Sequence, residues 1–348
     1  MKILIVGEWA WPIYEESFAA GLRECGVEVC QFTTSTFFNG LSGRIQKTIP
    51  FTGSRLIQLN RLMIAAASTH NPDLVLFWRP THILPKTIIQ LSKMGYKTAS
   101  YNNDDPFGPK VHGNVPWHHH FLWYWYLRCL PYFNFNFFYR QINCLEAKQI
   151  GAKHAMVLLP YFIPWRDQPR VLRDDELEQY EADLVFVGHH ESDGRVDALL
   201  ALVDGGFRVR IWGGNWESNI DLDLSGRIPK ITSADGDAYL KALCGSKICL
   251  CFLSKLNRDT YTRRCFEIPA CGQVMLAERT NDLVELFKED EEACFFSTNE
   301  ELLEKARWLL KNPDIRIRIA QAGLRRVWSD GHDVSSRAKQ FLEALSRS

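Results

Sequence analysis

The chain has 348 residues, more than one ordinary core supports and suited to two domains. Lysine plus arginine and aspartate plus glutamate both number 41, so no net field draws the protein to nucleic acid or to an anionic membrane. The ten cysteines are scattered, several in apolar runs such as ICLCFL (248–253), which suits buried free thiols and a cytoplasmic setting better than a disulfide framework.

The opening MKILIVG reads as a first strand over 2–6 closed by Gly7, because it carries one lysine, a short apolar run and no small-residue cleavage site. A helix over 14–25 ending at Gly26 follows. Further apolar runs at 27–32, 73–78, 97–101 and 133–138 alternate with helical stretches such as 54–68 and 84–94. Strands alternating with helices predict a parallel sheet covered on both faces. The segment 117–139 (WHHHFLWYWYLRCLPYFNFNFFY) is rich in aromatic residues. A membrane-spanning helix needs about 20 apolar residues, and Arg128, Pro131, Asn134 and Asn136 interrupt this run. Packing in the core or against an acceptor is expected, with peripheral membrane contact as the other reading.

The prolines of LPYFIPWRDQPR and the charged RDDELEQYEAD mark a break. The reading is a first domain over 1–165, a linker over 166–182 and a second domain over 183–332. The last helix, over 333–348, is read as one that can cross back to the first domain. The second domain repeats the βα grammar: LVFVG (184–188), a helix at 195–204, RVRIWGG (208–214), a helix at 235–244, ICLCFL, a helix at 260–271 and QVMLA (273–277). Helices at 300–311 and 314–328 follow, with Asn299 and Asp333 as expected caps of the helices after them.

The most specific stretch is SKLNRDTYTRRCFEIPACGQVMLAE (254–278). A strand delivers the chain to a polar loop, the loop opens a helix near Asp259 or Thr260, and the helix ends at Gly272. In a doubly wound sheet such a loop faces the ligand crevice, and a helix start there favours an anion such as a diphosphate. Arg263 and Arg264 add positive charge suited to bidentate phosphate contacts. In a helix, Asp259, Arg263 and Glu267 share one face. The plainer reading is a solvated face laced with ion pairs, each worth little.

The run RCFEIPACGQVMLAE and the following NDLVELFKEDEEACFFSTNEELLEKARWLLKNPDIRIRIAQAGLRRV resemble the C-terminal domain of the family 4 type retaining glycosyltransferases, in particular the CgeB-like, spore-maturation type "glycosyl transferases group 1" branch. The resemblance covers 184–346 well and the first half loosely. It implies a GT-B fold: two Rossmann-like doubly wound domains facing a central cleft. That family carries two acidic residues separated by seven others, positions held here by Asp259 and Glu267, with Gly272 as its glycine. The resemblance implies that Glu267 takes the ribose hydroxyls, that Asp259 faces the donor sugar and that Arg264 meets the donor diphosphate. Two positions depart from the pattern. Asp259 stands where the family has glutamate, and the first loop, GEWAWPIYEES, lacks a glycine pair.

Other residues have two readings each. Gly188 ends a strand and Arg195 starts a helix, where close backbone approach and a cation suit phosphate, or where a plain turn suffices. Gly213, with Gly214, ends the next strand beside the family's base-binding region, and a Gly-Gly turn by itself is usually only a turn. Lys255 reaches phosphate or is a surface lysine. Asp104 or Asp105 in YNNDDPFG either orients an acceptor hydroxyl or caps a turn before Pro106, and Asp105 is the one assigned to catalysis. Trp9, Trp11 and Tyr14 stack on an acceptor sugar or pack internally. His118, His119 and His120 are consecutive and diverge, as loop histidines do. Cys249 and Cys251 share a strand face without histidines nearby, so no metal is expected.

The function so implied is transfer of a hexosyl group from a UDP- or GDP-linked sugar to a sugar, lipid or protein acceptor, with retention, without metal or other cofactor, and without nucleic acid. The competing reading is a nucleotide-sugar-binding protein without transferase activity that regulates a partner enzyme. A nonhydrolysing epimerase of the same fold would need acidic and histidine groups around the sugar that the sequence does not display.

Overall fold

The computed structural model describes residues 1–49, 53–108, 118–216 and 226–347. They form two compact units: Met1–Pro160 with Val334–Ser348, and Tyr161–Asp333.

The first unit is built on six parallel strands: β1 (Lys2–Gly7), β2 (Glu28–Thr33), β3 (Leu74–Trp78), β4 (Lys97–Asn102), β5 (Phe135–Phe138) and β6 (Ala155–Val157). Their order is β2-β1-β3-β4-β5-β6. Ile3, Leu4, Ile5 and all of β3 are buried, as strands covered by helices on both faces require. On one face lie Leu59, Met63, Ile88, Leu91 and Tyr126. On the other, Phe18 stands 5.6 Å from Phe341 of the last helix, Val334–Ser346. That helix packs so closely that a Cβ on Gly21 would lie 2.8 Å from the Val334 carbonyl oxygen.

The second unit has five parallel strands, β7 (Ala182–Val187), β8 (Val209–Trp212), β9 (Ser246–Cys251), β10 (Met275–Glu278) and β11 (Cys294–Phe296), in the order β11-β10-β9-β7-β8. In each sheet the first strand is flanked by its immediate successor on one side and by a later strand on the other. The direction of winding therefore reverses between β1 and β3, and between β7 and β9, and at such a reversal the loops at the carboxyl ends splay into a crevice.

Several elements differ from the sequence reading. The first helix begins as a wide turn over Pro12–Glu16 and becomes α-helical only at Ser17–Glu24. The helix expected at 260–271 spans only Arg264–Ala270, because Arg258 adopts a left-handed φ of 48° and the Asp259 N–H closes a turn onto the Ser254 carbonyl at 2.9 Å. The stretch 166–182, read as a linker, is folded into the second unit, where Asp167 is fully buried and Asp174–Tyr180 is a helix. Thr298, not Asn299, caps helix Asn299–Lys311, its side chain accepting from Glu301 N–H at 3.2 Å.

Of the aromatic segment, Trp117 lies outside the described residues. The remainder forms short helices at His119–Leu122 and Tyr124–Cys129 and then β5. Trp123, Tyr126, Phe133, Phe135, Phe137 and Phe138 are core residues, while Phe121, Tyr124 and Tyr132 face outward. No helix among the described residues is long and apolar enough to cross a membrane. All ten cysteines are free thiols, seven of them buried.

Candidate functional site

In the second unit the crevice is lined by two loops, 188–194 after β7 and 252–263 after β9. They are joined directly: the Ser254 hydroxyl donates to Glu191 at 2.6 Å. Glu191 also meets His189 Nε2 at 2.7 Å and lies 3.6 Å from Arg195. Burial raises its pKa, but the His189, Arg195 and Ser254 partners outweigh that and hold the carboxyl below its ordinary value. A neighbouring loop is fixed by backbone contact. Gly213 has φ 147°, and a Cβ there would lie 2.0 Å from the Gly188 carbonyl oxygen. That same oxygen accepts from Trp216 Nε1 at 2.9 Å. Gly188 and Gly213 thus let the ends of β7 and β8 touch, a packing reason for both that needs no ligand. Gly272 stops helix Arg264–Ala270 at φ 69°, with its N–H on the Pro269 carbonyl at 2.8 Å.

The four expected cations differ sharply in what they already hold. Arg195 is buried and donates to both oxygens of Asp193, at 2.7 and 2.5 Å, and to the His189 carbonyl at 2.7 Å. Its charge is engaged internally, so a phosphate would reach Arg195 only by displacing partners it already has. Lys255 pairs with Glu278 at 2.9 Å at a half-exposed position. Arg263 pairs with Glu267 at 2.8 Å. Arg264 differs from all three. Its guanidinium lies 5.7 Å from the Phe186 ring, one Nη donates to the Phe252 carbonyl at 3.1 Å, and its Nε is buried without a hydrogen-bond partner among the described residues. No carboxylate is paired with it there. Arg264 as a whole is half-buried, but a buried guanidinium nitrogen without a partner is costly, so the position suits an anion.

Glu267 is not laid out as the resemblance implied. Its side chain is buried, one oxygen receives Arg263 and Arg166, and the other receives the Tyr239 hydroxyl at 2.7 Å. Burial pushes its pKa up, yet the two guanidiniums and the hydroxyl prevail and bring it to about 2. Ribose hydroxyls would reach this carboxylate only by displacing partners it already has. Asp259 does not share a helical face with Arg263 and Glu267, because it lies in the loop, half-buried, before the helix starts.

In the first unit the loop after β1, which has no glycine pair, turns its backbone donors inward. The buried Glu15 carboxylate accepts from the N–H groups of Glu8 and Trp9, at 2.9 and 3.2 Å, and burial raises its pKa. A Cβ on Gly7 would lie 2.4 Å from that carboxylate. Asp105, expected at the crevice edge, is 2% exposed and accepts from the N–H groups of Phe107 and Gly108 and from Asn143, at 3.0, 2.9 and 2.8 Å. It caps a turn. Its neighbour Asp104 is the accessible one, meeting Arg79 Nε at 2.5 Å. Trp11 is exposed and Tyr14 half-buried. His118 and His119 pack ring to ring at 4.7 Å. No cluster of three or more His, Cys, Asp or Glu among the described residues is arranged to hold a metal.

Arg166, Tyr239, Glu191, Ser254, Glu278 and Arg79 were not anticipated. Each acts through a partner distant in the chain, and nothing in the local spacing announces it.

Two doubly wound α/β units with crevices at their winding reversals constitute the GT-B fold. Residues 195–343, under half of the chain, match the family of glycosyl transferase-like proteins. The whole chain is similar in structure to sucrose-phosphate synthase from Thermosynechococcus elongatus (TM-score 0.70, 12% identity, 100% of this chain and 98% of that one). It is also similar to Anabaena HepE in complex with UDP-glucose (TM-score 0.68, 14% identity, 100% of both chains). A third similar structure is a putative UDP-N-acetylglucosamine 2-epimerase from Listeria monocytogenes (TM-score 0.57, 12% identity, 99% of this chain and 95% of that one). At these identities the likeness defines the fold. No curated protein matches by sequence.

Proposed function

We propose that the chain is a glycosyltransferase of the CgeB-like branch that moves a hexosyl group from a UDP- or GDP-linked sugar to an acceptor, with retention and without a metal. The observation that carries the reading is Arg264: a half-buried arginine, beside the carboxyl end of β9, whose Nε is buried without a hydrogen-bond partner and which pairs with no carboxylate among the described residues. A nucleoside diphosphate supplies the anion this position lacks. Arg264 would neutralise it as the bond from anomeric carbon to phosphate oxygen breaks and its electron pair passes to the diphosphate. The acceptor oxygen then bonds to the anomeric carbon, and its proton passes to the departing diphosphate oxygen. Lys255, exchanging Glu278 for phosphate, would add a second cation. Asp259 would face the sugar, and Glu267 would hold Arg263 and Arg166 in place rather than reach the ribose first. The HepE complex with UDP-glucose is consistent with a donor of this kind.

The engaged state of Glu267 and the aspartate at position 259 favour a second reading, a nucleotide-sugar-binding protein without turnover. Calorimetric titration with UDP, GDP and their hexose derivatives, followed by an assay for slow donor hydrolysis with and without EDTA, separates the two. Binding with hydrolysis that survives EDTA is expected. Binding without hydrolysis or transfer supports the second reading, loss of hydrolysis with EDTA removes the metal-free scheme, and no binding removes both readings.

A further inference from the structure

Among the described residues, the second unit brings two pairs of cysteines together. Cys251 Sγ and Cys265 Sγ are 3.6 Å apart, but both residues are fully buried and solvent reaches neither. The other pair is Cys244 and Cys271, 27 positions apart in the chain. Cys244 ends helix Asp237–Cys244 and is half-buried, whereas Cys271 is the C-cap of helix Arg264–Ala270 and is fully buried. Cys244 Sγ lies 3.9 Å from the Cys271 carbonyl oxygen, which brings the two side chains within reach of each other. A thiol that meets solvent beside one that is sheltered can be oxidised first and then resolved by its neighbour.

The surroundings of Cys244 favour its thiolate. The Cys271 thiol hydrogen-bonds to it, the Arg170 N–H points at it and the Arg170 guanidinium adds positive charge. Together they outweigh burial and hold Cys244 below its ordinary value. The same bond, with burial, pushes Cys271 up, so that residue keeps its proton until it reacts. Cys249 is the competing thiol, but its Sγ donates to the Leu243 carbonyl at 3.5 Å and burial pushes its pKa far up.

We infer that Cys244 is a site of reversible oxidation by peroxide and that Cys271 resolves it, giving an internal disulfide between the ends of the two helices. The Cys244 sulfur attacks the peroxide, an S–O bond forms as the O–O bond breaks, and hydroxide leaves and takes up a proton to become water. The Cys271 sulfur then attacks the sulfenic sulfur, the S–S bond forms and the S–O bond breaks, and the Cys271 proton departs with that oxygen as a second water. The two thiols lose two electrons and the peroxide gains them. The ring so closed contains β9, the loop 252–263 and helix Arg264–Ala270, and with them Lys255, Asp259 and Arg264. Oxidation thus ties down the segment on which the transfer reading draws, although the thiol chemistry itself does not depend on that reading.

The test exposes the full, native chain to hydrogen peroxide in small excess, alkylates the remaining thiols and maps the peptides by mass spectrometry. A Cys244–Cys271 disulfide is expected, reversed by dithiothreitol, with Cys251 and Cys265 still reduced. In Cys271→Ser the disulfide is lost and a sulfenic acid at Cys244, trapped by dimedone, takes its place; Cys244→Ser shows neither product. Cys244 recovered without a bond to Cys271, whether reduced, over-oxidised or joined to Cys249, overturns the inference. So does a disulfide that forms only in denaturant, oxidation of Cys251 and Cys265 ahead of Cys244, or a folded Cys271→Ser chain that dimedone does not label at Cys244. The map of the native chain decides the matter even where a variant fails to fold, and no nucleotide enters the measurement.

Discussion

Glu267 and Arg166 form a buried ion pair although they lie 101 positions apart in the chain. The arginine comes from the segment that leads into the second unit and the glutamate from the first turn of helix Arg264–Ala270. With Arg263 and Tyr239 they make one hydrogen-bonded group, so the carboxylate secures the chain's entry into this unit to the helix behind the crevice.

Replacing Glu267 by glutamine leaves two arginines short of their shared anion and should lower stability by about 3–5 kcal/mol, toward the lower figure because Asp167 still holds Arg166. The acid dependence has a definite sign. A carboxyl depressed to about 2 from its ordinary 4.5 contributes its full stabilisation above the ordinary value and loses it as pH falls toward 2. Melting temperatures of the native chain should fall more steeply than those of Glu267→Gln between about pH 5 and pH 3. Parallel slopes would contradict the assignment.

Arg264→Met should change stability little. It removes a half-buried charge that pairs with no carboxylate among the described residues, so melting without ligand should stay about where it is. Affinity for UDP should fall by about 1.5–3 kcal/mol, the worth of a hydrogen bond to a charged group. Calorimetry with and without UDP reads both, and a variant that melts lower yet binds UDP normally would show that Arg264 is structural.

Gly213 and Gly214 are adjacent but should respond differently to alanine. At Gly213 the new methyl would meet the Gly188 carbonyl oxygen at 2.0 Å in a backbone region side chains avoid, whereas at Gly214 nothing lies within 4 Å. Gly213→Ala should cost about 2–5 kcal/mol and Gly214→Ala less than about 1 kcal/mol, measured by urea unfolding. Equal losses would mean that this loop contact does not persist in solution.

Thr298→Ala should destabilise by about 1 kcal/mol through loss of the cap to the Glu301 N–H, while Asn299→Ala should change little. Thermal melts of the two variants decide which residue caps helix Asn299–Lys311.

The alternation of buried runs and helices made the two sheets readable before any coordinates, because β1, β3, β7 and β9 are apolar for the physical reason that helices cover both their faces. Helix starts were less readable. Asp259 and Thr260 are good cap residues, but the turn closed onto Ser254 consumes them before the helix begins at Arg264. Asp104 and Asp105 are indistinguishable as letters, and only the three donors that converge on Asp105 divide the pair into one turn cap and one accessible carboxylate. Glu267 stood out by its spacing, but its occupants Arg166 and Tyr239 arrive from elsewhere in the chain, and pairing between such positions leaves no local trace.

The docking of helix Val334–Ser346 against Gly21 has a consequence for biosynthesis. A ribosome delivers residues in order, so Tyr161–Asp333 emerges and can fold while the earlier half still lacks the piece that covers Phe18. During that interval the nascent chain exposes an aromatic face of the first sheet. Its maturation is thus timed by translation of the last helix, and a ribosome stalled before Val334 would leave that face open to chaperones.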